Sequence, residues 1–383
     1  MEDVDPPEDG PPPEVLDDVF HVYETRTDGE RLLYFGHAEA PRDRVLRRLW
    51  PEFRDAGYEL HLSTRLDDTV LVAEPHRERY GDGVPWLNVL LFAATVLSTL
   101  LVGAVGWYYV PPSAIAEDPL ALLTAWPFTA AVLGVLGIHE LGHYAMSRYH
   151  DVDASLPYFI PMPTIIGTMG AVIRMRGQMP SRKALFDIGV AGPIAGLVAT
   201  VVVTVVGLSL PPVNVPQSVV DGSSSALLLA NPPLMDIIAE AMGARLGYAD
   251  PTKSVNPVVI GGWVGMFITF LNLIPVGQLD GGHVLRSMIG RRQETVGAVV
   301  PLVLFGMAGY LRYVEGLGLQ DSVLLWVVWG VVSIFFAFGG SADPIDDSAL
   351  GRKRLLVGLV TFGVGMLCFT LVPFQLCTAA SPC

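Results

Sequence analysis

The stretch PFTAAVLGVLGIHELGHYAMS, Pro127 to Ser147, is an apolar run of bilayer length that carries His139, Glu140 and His143 within five residues. A helix needs about 20 predominantly apolar residues to cross a hydrocarbon core, so this run reads as a membrane span. An ionisable side chain inside a span costs roughly 2.5–3.5 kcal/mol even on the mildest scale, and three together call for a compensating partner. Residues i and i+4 share one helix face, so both imidazoles can reach a single divalent cation while Glu140 sits beside them to hold a metal-bound water. A hydrogen-bonded polar patch between helices, or a metal site kept only for structure, are the blander alternatives.

The rest of the chain agrees with a bilayer setting. Of 383 residues, 51% are hydrophobic and 16% charged, against roughly 25% charged in an average soluble protein. Residues 1–84 hold 21 Asp or Glu and 10 Arg, a charge of −11 out of the chain's −14. The acidity therefore belongs to a soluble head. Beyond it, apolar runs mark seven spans, 89–110, 127–147, 184–210, 257–276, 296–311, 323–338 and 355–376, the fifth and sixth being short. Thirteen Lys and Arg, from Arg77 to Arg354, fall in connections on one side, and only Arg245, Lys253 and Arg312 on the other. The positive-inside rule then puts the N-terminus in the cytoplasm and the C-terminus outside the cell membrane.

The expected fold is thus a polytopic α-helical membrane protein of about seven transmembrane helices, with a re-entrant β-hairpin-like element and a small N-terminal cytoplasmic α+β domain. Residues 1–13, rich in Pro and acid, read as a disordered tail. Residues 14–84 form the accessory domain: two strands around Thr27-Asp28-Gly29, a helix from Pro41 to Ala56 with Val45, Leu46, Leu49 and Phe53 on one face, and strands at 58–62 and 69–73 after a Leu66-Asp67-Asp68 turn. Residues 85–292 are read as the transmembrane core and 293–383 as the C-terminal spans. Within the core, 157–175 is apolar but broken by Pro161, Pro163, Gly167 and Gly170, and non-helical backbone at membrane depth must line a cavity or be buried in protein. The connection 211–256 lies outside. Its Pro232–Leu246 portion reads as a surface helix with Asn231 as N-cap and Leu234, Ile237, Ile238, Ala241 and Met242 on one face.

Several classes are excluded. No basic face is large enough for nucleic acid. Cys368, Cys377 and Cys383 lack thiolate-zinc spacing, although Cys377 and Cys383 can pair. The acidic, Pro-rich opening is no cleaved signal peptide. Only three of the 24 basic residues are Lys, an acid-rich, Arg-over-Lys balance that suggests a high-salt organism, a halophilic archaeon for instance.

A catalytic zinc takes three protein ligands and keeps a fourth position open, so one more ligand must converge on His139 and His143. His150 lies two turns beyond His143, and Met146 and Tyr149 stand where metzincins carry Gly and His, which excludes that family. The next Glu after Glu140 is Glu240, on the external side. Asp280 is the better candidate. It follows the fourth span in Asn272-Leu-Ile-Pro275-Val-Gly-Gln-Leu-Asp280-Gly281-Gly282-His283, where Pro and Gly unwind the helix and turn a carboxylate inward. The second and fourth spans both run inward, so Asp280 reaches the same depth as the histidines. The alternative role for Asp280 is an N-cap for a helix from Gly281 to Ile289. His283 reads as a neighbour of the ligands or a solvent-facing residue.

In these residues the chain resembles the site-2 protease family of intramembrane zinc metalloproteases. The matching pieces are His139–His143 on a span, Gly167-Thr-Met-Gly170-Ala-Val-Ile in the re-entrant region, Ala191-Gly192-Pro193 in the third span, and Asn272 through Gly282. The resemblance implies His139, His143 and Asp280 as ligands to one Zn2+, Glu140 as catalytic base and Asn272 as a hydrogen-bond donor to substrate or transition state. It also implies a transmembrane protein substrate, such as a membrane-tethered regulator, in the lipid bilayer. The rival class is a divalent-metal transporter using the same His and Asp cluster. Gly192 with Gly196, and Gly261 with Gly265, have the spacing of close helix packing, and Asp187 is expected to pair with Lys183 one turn before it.

Overall fold

A computed structural model describes residues 10–65, 68–75, 84–176, 178–222, 225–340 and 342–378. Leu66 and Asp67 of the expected turn, and Cys383, lie outside these residues. Cys377 is disulfide-bonded, and Cys368 is free and buried.

Alternating apolar residues in the head build an antiparallel sheet of β1 (Phe20–Asp28), β2 (Arg31–Ala38), β3 (Tyr58–Arg65) and β4 (Asp68–Pro75), in the order β1-β2-β4-β3. Gly29, at φ +64, makes the β1–β2 turn. Helix α1 (Arg42–Asp55) carries Pro51 on its exposed side and lays Val45, Leu46, Leu49 and Phe53 on the sheet, as its periodicity predicts. Of the expected 1–13 tail, residues 1–9 lie outside the described residues, and the Pro11 carbonyl accepts the Tyr34 hydroxyl at 3.0 Å.

Among the described residues, five helical segments are long and apolar enough to cross a membrane: Trp86–Trp107, Pro119–Tyr149, Arg182–Ser209, Arg292–Tyr313 and Leu319–Gly339. The first is α2 (Trp86–Val102) extended by a π-turn; after the short α3 (Pro112–Glu117), the second is a 3-10 turn running into α4 (Trp126–Tyr149). The third is α5 (Arg182–Ser209). In the 211–256 connection lie α6 (Gln217–Gly222) and α7 (Pro233–Met242), followed by the shorter apolar α8 (Val258–Asn272) and by α9 (Asp280–Ile289). The last two long segments are α10 (Arg292–Tyr313) and α11 (Leu324–Gly339), the latter entered through a π-turn. Helix α12 (Arg352–Met366) has only 15 residues.

Two sequence expectations shift. The 355–376 run is helical only to Met366, and its end is the strand β14, described below; an apolar run of this length does not by itself distinguish helix from strand, and Thr370, Val372 and Pro373 favour extended chain. Helix α7 begins at Pro233, with Pro232 as its cap, and ends at Gly243 in the left-handed conformation, so it buries Met235, Ile238 and Ala239 and leaves Ile237 exposed.

The backbone between α4 and α5 is a run of short strands: β5 (Asp153–Ala154), β6 (Tyr158–Pro161), β7 (Thr168–Val172), β8 (Met175–Arg176) and β9 (Met179–Ser181). β5 pairs with β8, and β6 pairs antiparallel with β7, Phe159 facing Ala171 and Ile160 facing Gly170. Polar side chains of α2 and its π-turn satisfy the irregular parts: Asn88 donates to the Leu156 and Pro157 carbonyls, Ser98 to Gly167 at 2.7 Å, and the Trp107 indole to Ile165 at 2.9 Å. In the hydrocarbon of a bilayer, away from water, such carbonyls would otherwise be costly. Later strands β10 (Val213–Asn214) and β12 (Lys253–Ser254) pair, as do β11 (Ser225–Leu229) and β14 (Phe374–Thr378), while β13 (Pro344–Asp346) runs parallel to β9.

Helices α4, α5 and α8 pack on one another. Added Cβ atoms at Gly261 and Gly207 would strike the Ala131 methyl and the Val259 backbone, so these glycines set the approach distance.

Candidate metal centre

His139 and His143 project from the same face of α4 toward α5 and are 3% and 5% exposed; Glu140 between them is 6% exposed. The C-terminal end of α8 brings Asn272 to the same place. The chain then turns through Leu273–Leu279, where Gly277 takes φ +47 and its Cα lies against the Phe336 backbone, so no side chain fits there. Asp280 is the first residue of α9, whose cap position is Leu279. Its carboxylate does not cap the helix; it meets the histidines.

The three sequence-predicted ligands come together. His139 Nε2 lies 3.1 Å from Asp280 Oδ2, His143 Nε2 lies 3.2 Å from the same oxygen, and the two Nε2 atoms are 3.2 Å apart. A tetrahedral cation with ligands at about 2.0–2.1 Å spaces them at about 3.3 Å, close to this triangle. Among the described residues, this is the group of three or more His, Cys, Asp and Glu side chains arranged to hold a metal ion. The His143 Nδ1–H donates to the Ile188 carbonyl at 2.8 Å, which leaves Nε2 with its lone pair directed at the site. The Asn272 amide Nδ2 is 3.2 Å from His139 Nε2 and so borders the same space.

Two residues read from sequence as ordinary helix packing have a more specific place. A Cβ on Gly192 would overlap the His143 ring at Nε2, and one on Gly196 would come within 2.8 Å of His139 Nδ1. The i, i+4 spacing of the glycines on α5 repeats that of the histidines on α4. That coincidence was the available signal.

Of the two places read for His283 the buried one holds, whereas Asp187 departs from its expected partner. His283 is 7% exposed, lies against Gly189 of α5, and has no hydrogen-bond partner at Nδ1, so it does not face solvent. Asp187 does not pair with Lys183. Its two oxygens take Arg354 Nε and Nη2, each at 2.8 Å, and His150 Nε2 approaches at 3.0 Å. Arg354 wins because α12 lays its planar guanidinium fork against the carboxylate. His150, beyond the end of α4, is thereby held away from the metal centre.

A membrane-embedded H-E-x-x-H helix completed by a carboxylate from a second, broken helix defines a class, and comparison with known proteins agrees with it. Residues 127–308 match Peptidase family M50: this multi-pass membrane protein carries a peptidase M50 domain, that of the site-2 proteases. It is homologous to the EGY zinc metalloproteases. A protein named "Probable zinc metalloprotease EGY1, chloroplastic" from Arabidopsis thaliana is 32% identical over 284 residues, 70% of this chain and 47% of that protein. The rice protein of the same name (Oryza sativa subsp. japonica) is 28% identical over 394 residues, 90% of this chain and 63% of that one. "Probable zinc metalloprotease EGY2, chloroplastic" of Arabidopsis thaliana is 28% identical over 339 residues, 87% and 58% respectively. The chain thus spans about half to two-thirds of the length of these relatives.

Proposed function

We propose that this chain is an intramembrane zinc metalloprotease that hydrolyses peptide bonds within or near membrane-spanning segments of other membrane proteins. The observation that carries this reading is the triangle of His139, His143 and Asp280 ligand atoms, 3.1–3.2 Å on a side, with Glu140 on the same helix turn. Three nitrogen and oxygen ligands with one position open are the donor set of a catalytic zinc, and the names of the relatives point to the same ion. When bound, the ion supplies Lewis-acid activation of water and of the scissile carbonyl.

The protein's own residues supply the remainder. Glu140, buried beside the ligands, takes the proton from the attacking water and passes it to the leaving amine. The Asn272 amide borders the ligand space and donates to the oxyanion as it forms. A helical substrate hides its carbonyls in i to i−4 bonds, so it must be extended before attack. Among the described residues β7 is paired with β6 along one edge only, and it receives the unwound segment by strand addition along the other. Substrate spans with Gly, Pro or Asn are favoured.

The N-terminal domain faces the cytoplasm on the charge count, the site opens on that side, and the fragment released is cytosolic. Val258–Asn272, a shorter apolar helix, and Arg352–Met366 serve as the remaining two of seven spans, and the β6–β7 hairpin is the re-entrant element. The divalent-metal transporter is left without support: no second ligand cluster that could form a path is present among the described residues.

Metal content and cleavage of a membrane-spanning model substrate, measured on purified wild type and Glu140→Gln, test this. Zinc retained with cleavage lost by the variant is expected. Cleavage surviving in Glu140→Gln, or metal transport by wild type, would overturn it.

A further inference from the structure

Arg286 sits on α9, six residues after Asp280, and is a buried charge that the mechanism does not use. Its side chain is 4% exposed; Nε and Nη1 have no hydrogen-bond partner, and Nη2 donates to Asp343. A guanidinium so placed depends on its one carboxylate. Asp343 leads directly into β13, the strand that runs parallel to β9 with Pro344 facing Met179 and Asp346 facing Ser181.

The same short segment reaches the N-terminal domain. Ile345, 8% exposed, is part of the hydrophobic core formed by Leu16, Phe20, Val45 and Leu49, and Asp346 lies 3.6 Å from Arg47 of α1. On its other side Asp347 lies 3.6 Å from Arg182, the first residue of α5, whose Nε and Nη2 donate to the Ser287 and Met288 carbonyls at the end of α9, at 2.6 and 3.3 Å. One five-residue strap therefore touches the N-terminal core through Ile345 and the last turns of α9 through Asp343 directly and through Asp347 by way of Arg182.

Helix α9 is ten residues, about 15 Å. Its first turn packs closely on its surroundings: Cβ atoms on Gly281 and Gly282 would strike the carbonyls of Leu273 and Gly277, and His283 lies against Gly189 of α5. With no side chain at 281 or 282 to interlock with a neighbour, the azimuth of Asp280 depends also on what grips the other end of the helix. Ligand geometry tolerates about 0.5 Å and 10–20°.

We infer that Arg286 is a positioning residue for Asp280, and that the 343–347 strap places this positioning under the hold of the N-terminal domain. The inference rests on the metal-centre reading above. Loosening the domain rotates α9 and takes the carboxylate out of the ligand triangle, so the domain's state, set by whatever binds it, tunes the metal centre.

The test uses the full chain in lipid nanodiscs. Zinc affinity is measured by chelator competition, and backbone hydrogen exchange is followed separately over residues 126–149, 280–289 and 343–347, for wild type, Asp343→Asn, Ile345→Asp and the conservative Asp343→Glu. Expected is a ten- to hundredfold weaker zinc affinity in Asp343→Asn and Ile345→Asp. Faster exchange in 280–289 and 343–347, unchanged exchange in 126–149, and partial recovery in Asp343→Glu should accompany it. Faster exchange in 343–347 with wild-type zinc affinity would overturn the inference, and so would loss of protection in all three segments together, which would mark the strap as merely structural. Absence of zinc binding in the wild type would instead overturn the metal-centre reading.

Discussion

Replacing Gly192 by Ala adds a single methyl group to the third membrane helix, and the arrangement at the ligands makes it the sharpest available perturbation. The new Cβ would overlap the His143 ring at Nε2, and the corresponding Gly196→Ala methyl would lie 2.8 Å from His139 Nδ1. Ordinary contact begins near 3.4 Å, so the His139 ring must retreat by about 0.6 Å for Gly196→Ala and the His143 ring by more than twice that for Gly192→Ala. A metal site is disturbed by displacements of about 0.5 Å. The expected loss of zinc affinity is about 10–100-fold for Gly196→Ala and more than 100-fold for Gly192→Ala, read by chelator competition, with cleavage falling in step. Alanine is the better helix former by about 0.8–1.0 kcal/mol, so a weakened helix is not the cause. Gly134→Ala on α4, with nothing within 4 Å of its added methyl, is the matched control and should retain wild-type affinity. Wild-type zinc affinity and turnover in Gly192→Ala would refute the claim that this glycine makes room for His143.

Asn272→Ala should lower kcat by about 10²–10³ with little change in zinc affinity, because the amide acts on charge that develops only during reaction; a change confined to KM would count against that role. Asp187→Asn should leave Arg354 and His150 without their shared carboxylate and cost about 1–3 kcal/mol of stability, seen as a lower Tm in thermal melts in detergent, while zinc content stays at the wild-type level. In the N-terminal domain, burial pushes the Tyr34 phenol up from its ordinary value. The folded form therefore keeps its proton while the unfolded form loses it above about pH 10, so this contribution to stability is fully present below pH 10 and declines as pH rises beyond it. Melts of Tyr34→Phe should show that alkaline decline reduced, and an unchanged alkaline slope would remove Tyr34 as its source.

Much of the head was legible in the sequence. Alternation in the strands and the Val45–Phe53 face of α1 are local signals, and a soluble core sorts them by burial. The metal centre was legible for a related reason. Helical repeat alone puts His139 and His143 on one face, and a bilayer penalises ionisable groups strongly enough that their presence implies a task. What periodicity missed was anything set by a neighbour. Asp187 had Lys183 within its own helix, yet it bonds Arg354 from α12, 167 positions away. The last apolar run changes from helix to strand at a point that its hydrophobicity does not mark, because β14 finds its partner in β11.

By itself, then, the amino-acid order determined that the chain enters the membrane, which helix bears the paired imidazoles, and which residue types meet there. Those properties follow from composition and from the 3.6-residue repeat, which act over a few turns. Only the tertiary structure decided that Asp280 closes the triangle at 3.1–3.2 Å, that Gly192 and Gly196 make room for the two rings, and that Arg286 bonds Asp343, two residues before Ile345 in the N-terminal core. Each of these depends on the relative azimuth and depth of separate helices, which close packing selects and no local pattern encodes.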